Sequence, residues 1–227
     1  MEYAQTRMQA RYGARPDASQ WHQLSEQREF APYLSTAHAL PCGSWLAGID
    51  EAAGPHELEH ALRRHWRDSV DELSCWMPEA WRPALRWTAP LIDWPLFCLL
   101  GTGDTPPHWL NKKISDAAFL LPAEASQGLA GWTAEWVRRW PDEPEAERQS
   151  LHRLRQRVQK HLAEFATLDP ASAWESRRQF EQQLSYAFRS TAMRPTAAFI
   201  YLLLHALDLE RFRADLLARA LQRRCAS

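Results

Sequence analysis

A chain with twelve tryptophans but only three valines and four isoleucines has few side chains suited to the interior of a β-sheet. β-Branched residues fit a pleated surface, whereas Leu and Ala, which supply nearly all the remaining apolar mass, lose least on entering a helix. Without Val and Ile a parallel sheet is hard to pack, and with the sheet goes the usual crevice for nucleotides. The expected fold is therefore all-α, a multi-helix bundle.

A length of 227 residues suffices for one substantial core or two small helical domains. Acidic and basic side chains nearly cancel, at a net charge of −1, which argues against a nucleic-acid partner. Cys42, Cys75, Cys98 and Cys225 are widely spaced, form no C-x-x-C pair and read as reduced thiols. The segment Met1 to Arg7 holds no apolar signal core. The longest apolar run, Ala197 to Leu204, is far short of the ~20 residues a membrane span needs. These features predict a soluble, cytoplasmic chain with no direct membrane span, which reaches a membrane only through a partner or a surface helix.

The periodicity places a first helix over Tyr3 to Tyr12, stopped by Gly13 as a left-handed cap. Asp17 with Gln20 three residues on resembles a capping box opening a second helix. Phe30, Tyr33 and Leu34 lie on a third, and the stretch from Pro41 to Pro55 reads as a loop. Pro55 opens the best-defined helix of the first half, ending near Trp76, with Leu58, Leu62, Trp66, Val70, Leu73 and Trp76 as its apolar stripe. Prolines 83, 90 and 95 break the segment from Glu79 to Leu100. Gly101 to Pro107 is the expected junction between an N-terminal helical unit, 1–103, and a C-terminal one, 104–227. Beyond it, Ile114 to Leu121 reads as a short helix, and Trp132, Trp136 and Trp140 share one helix face. A helix from about Glu145 to Leu168, a turn at Asp169-Pro170 and a return helix through Trp174, Phe180, Leu184 and Phe188 make an antiparallel hairpin. A last helix runs from about Thr196 to Arg223.

Four groups of residues invite a chemical reading. His56-Glu57-Leu58-Glu59-His60 satisfies H-E-x-x-H, in which two histidines one helical turn apart bind zinc and the glutamate acts as general base. Here the two histidines point away from the apolar stripe. Arg63 and Trp66 stand where the extended form of the motif requires Gly and His, and Glu72 is the available third ligand. A solvated helix face is the plainer reading of the motif, with a zinc-dependent hydrolase as the alternative. His161, on an apolar heptad edge, is either a polar switch or an ordinary core histidine, and the latter is commoner. Arg148, Arg153, Arg155, Arg157 and Lys160 could meet phosphate, yet with Glu145, Glu147 and Glu164 among them they read as a solvated surface. Trp132, Trp136 and Trp140 are candidates for a partner-binding anchor or for the core of the second half. No phosphate-cradling glycine loop, dinucleotide fingerprint or nucleophile elbow is present, and no cofactor is expected.

One short echo links the two halves. Leu91-Ile92-Asp93-Trp94-Pro95-Leu96-Phe97 and Ala206-Leu207-Asp208-Leu209-Glu210-Arg211-Phe212 both read apolar-Asp-apolar and end on Phe, as two related helical units would.

Together with this echo, three stretches resemble the V0D/AC39 family, the C or d subunit of V-type and archaeal-type ATPases. The opening Tyr3-Ala4-x-x-Arg7-x-x-Ala10-Arg11 is similar to the family's first helix, and Tyr33-Leu34-Ser35-Thr36 continues the likeness. Leu58-Glu59-x-Ala61-Leu62-Arg63-Arg64 is similar to a helix of each family repeat, while Asp93 and Asp208 stand where the family places an Asp in the helix closing a repeat. The resemblance implies a short, diverged, non-catalytic member. Such a subunit would dock on the cytoplasmic face of a membrane-embedded ion-translocating complex and couple it to a stalk. It implies no catalytic residue.

Overall fold

The computed structural model describes residues 1–93 and 128–226, and among them every regular element is a helix, with no strand. The all-α expectation holds. By its internal contacts the chain forms two compact units, one of residues 1–65 with 144–227 and the other of residues 66–143. The expected junction between residues 103 and 104, and the short helix from Ile114 to Leu121, lie outside the described residues.

The first unit begins with α1 (Glu2–Gly13), α2 (Ala18–Glu26) and α3 (Phe30–Ala39). The capping box forms as expected: Gln20 N–H donates to Asp17 Oδ1 at 2.8 Å, and Asp17 N–H donates to Gln20 Oε1 at 3.0 Å. Gly13 is a correction. It is the last helical residue rather than a left-handed cap, and the chain leaves through Ala14 at φ −89°. The Ala14 and Arg15 N–H groups bond the last carbonyls of α1, so a left-handed residue is not needed to satisfy them.

The expected loop from Pro41 to Pro55 contains a 3-10 helix, Pro41–Leu46, which buries Cys42, Trp45 and Leu46. Two glycines shape this stretch. A Cβ on Gly43 would stand 2.5 Å from the His38 carbonyl oxygen, and Gly48 takes φ +78°. The first leaves no room for a side chain, and the second is a backbone conformation in which one is strained.

The next helix, α4 (Pro55–Trp76), contains the boundary between the units: its residues to His65 belong to the first and those from Trp66 to the second. Past α5 (Arg82–Arg86) and α6 (Gly128–Arg138) of the second unit, the first unit resumes with α7 (Glu145–Phe165), α8 (Pro170–Ser190) and α9 (Pro195–Ala226). Asp169 caps α8 through the Ala171 and Ser172 N–H groups, and Pro170 takes the first helical position, where its missing N–H costs nothing. The hairpin of α7 and α8 therefore forms as its sequence predicts. Leu24, Leu34, Leu58, Leu62, Leu151, Leu184, Leu204, Phe212 and Leu216 fill the core of this unit.

In the second unit the chain is interrupted near Pro83 and Pro90 as expected, into a 3-10 turn at Glu79–Trp81, a short α5 (Arg82–Arg86) and another 3-10 turn at Ala89–Asp93, while Pro95 lies outside the described residues. The last described helix of this unit is α6 (Gly128–Arg138). Trp66, Val70, Leu73, Met77, Trp81, Leu85 and Trp87 are buried with the α6 indoles.

Candidate functional site

The H-E-x-x-H residues occupy the first turns of α4, where Glu57, Leu58 and Glu59 have structural uses. Leu58 is fully buried in the first core. Glu57, three residues past Gly54, accepts the Gly54 N–H at 2.6 Å and so completes half of a capping box. Glu59 pairs with Arg213 of α9 and with Arg63 one turn on. His60 lies 3.0 Å from an Arg64 nitrogen, and both His56 and His60 are exposed. Glu72 is twelve residues beyond His60, about 18 Å along the helix axis, and cannot join the imidazoles at a common ion. Among the described residues, no three His, Cys, Asp or Glu side chains are grouped to hold a metal.

Trp132, Trp136 and Trp140, expected as a partner-binding anchor, are each at most 8 % exposed. They extend from Trp87 as a row: Trp87, Trp132 and Trp136 stack at centroid distances of 6.4 Å and 6.1 Å, and Trp140 meets Trp136 edge-on at 4.9 Å. Trp87 and Trp132 exchange hydrogen bonds, each indole N–H donating to the other's carbonyl at 3.1 Å and 3.2 Å. The Arg139 guanidinium lies 4.3 Å above the Trp87 ring. That cation and Arg138 meet the buried Glu135, each at 2.7 Å. The Arg138 hydrogen bond is the main reason the Glu135 carboxyl sits below its usual pKa. These indoles are the core of the second unit, the other of the two readings open from sequence.

Charge, rather than indole, marks the interior of the first unit. Arg15, in the link between α1 and α2, donates to both oxygens of Asp208 on α9, at 2.5 Å and 2.9 Å, and to Glu181 on α8 at 2.8 Å. Asp208 is 3 % exposed. Burial opposes the charge on Arg15, but its two carboxylates outweigh that cost and raise the guanidinium pKa. Burial also lifts the Asp208 carboxyl above its ordinary value, against the pull of Arg15. One turn earlier on α9, His205 is enclosed by Trp45 at 5.4 Å, His65 at 5.2 Å and Tyr201 at 6.3 Å. Burial, helped by His65, Arg15 and Arg11, pushes its pKa down to about 3, so the ring is neutral. Buried Cys42 is driven up to about 11 and stays a thiol.

The second unit uses the same device at Asp93 as well as at Glu135. Asp93, 4 % exposed, is bound by Arg67 of α4. Asp93 and Asp208 are the two aspartates of the sequence echo, and both are buried against an arginine. Trp94 to Phe97 of that echo lie outside the described residues. Sequence had marked the two acids but not Arg15, Arg67, Glu135 or His205, which lie in no motif.

No family model, curated protein or solved structure matches the chain.

The other two candidates are ordinary. His161 is half-buried, its ring stacked on Phe180 at 4.1 Å with an interplanar angle of 8°, and burial lowers its pKa. Arg153, Arg157 and Lys160 are exposed on α7, and Lys160 pairs with Glu164 at 3.6 Å. No described helix is long and apolar enough to cross a membrane.

Proposed function

We propose that this chain is a non-catalytic helical coupler similar to V0D/AC39 subunits, docking on the cytoplasmic face of a membrane-embedded ion-translocating complex. One observation carries the reading: the two aspartates picked out by the resemblance are both buried and both held by an arginine. A repeat-closing acid that locks its own unit is what a stiff coupling body requires. Severing such a buried pair costs more than the pair itself contributes, because a bare charge is left inside. Paired ions thus hold a shape without offering a reactive group. The zinc-hydrolase alternative lacks comparable support, since Glu57, its general base, is tied to the helix start.

Affinity purification of the tagged chain from detergent-solubilised membranes tests the proposal. The expected result is stoichiometric recovery of an integral membrane protein. Recovery of the chain alone, with all of it in the membrane-free fraction, would sink it.

A further inference from the structure

We draw no further inference here: the strongest candidate, the exposed apolar patch at the closed end of the α7–α8 hairpin (Leu162, Phe165, Leu168 and Trp174), is an unpartnered face, and nothing in the structure shows what covers it.

Discussion

The two units hold their helices together with different weight on long-range charge pairs and on stacked indoles. In the first, buried charges join elements distant in sequence: Arg15 reaches Asp208 across 193 residues. In the second, indoles stack on a neighbouring stretch, with Trp87 and Trp132 only 45 residues apart. Apolar stacking tolerates small shifts, whereas a two-pronged guanidinium–carboxylate contact admits one arrangement. A unit assembled from both ends of the chain gains more from the stricter contact than one folded from a single stretch.

The sharpest way to break this contrast is Arg15→Ala. It strands Asp208 without its hydrogen-bonded cation in a buried site and should cost about 3–5 kcal/mol in urea unfolding. Arg15→Met combined with Asp208→Leu should recover most of that loss, because an apolar pair of similar volume needs no solvation. A single substitution costing under ~1 kcal/mol would mean that charge does not organise this unit.

Acid offers the next handle. The folded pKa of His205 lies near 3, below its unfolded value, so the unfolded chain takes up the proton first as pH falls. Its contribution to stability is complete above about pH 6.5 and is lost progressively toward about pH 3, amounting to about 2 kcal/mol by pH 5. His205→Phe keeps an aromatic ring against Trp45, His65 and Tyr201 and removes the proton site. Stability curves of variant and wild type should therefore run parallel above about pH 6.5 and diverge as pH falls toward 3, the wild type losing stability that the variant keeps. Parallel curves from pH 4 to 7 would show that the imidazole does not titrate as described.

In the second unit, Trp132→Phe keeps most of the ring stack but deletes the indole N–H that Trp87's carbonyl accepts. A loss of about 1–2 kcal/mol is expected, with a shift in tryptophan emission and little change in the pH profile. A pH dependence as steep as that of the His205 site would erase the distinction between the two interiors.

How much of this was legible in the sequence follows from range. Local rules worked where local physics decides: the capping box at Asp17, the Asp169-Pro170 turn and the interruptions near Pro83 and Pro90 all form. Gly13 misled because a glycine at a helix end permits a left-handed cap without requiring one. Asp208 was conspicuous as an acid within an apolar run, but nothing near Arg15 announces a partner 193 residues away. The union of residues 1–65 with 144–227 has no local signal at all. Periodicity reports a stripe and not what lies over it: Phe165, on the same face of its helix as buried Leu154, is 40 % exposed.

The smallest predicted effect concerns the motif with the strongest formal claim to chemistry. Glu57→Ala removes the acceptor of the Gly54 N–H and should cost about 0.5–1 kcal/mol, as loss of a helix cap does. His56→Ala and His60→Ala, at exposed positions, should each change stability by under ~0.5 kcal/mol. Zinc measured on protein purified without chelator should be substoichiometric and indifferent to all three changes. One zinc per chain, lost with either histidine, would turn α4 from a capped strut of the charge-organised unit into a metal-bearing helix. The interiors would then differ in chemistry as well as in packing, because two ligands from one helix need a third that the described residues do not bring to them.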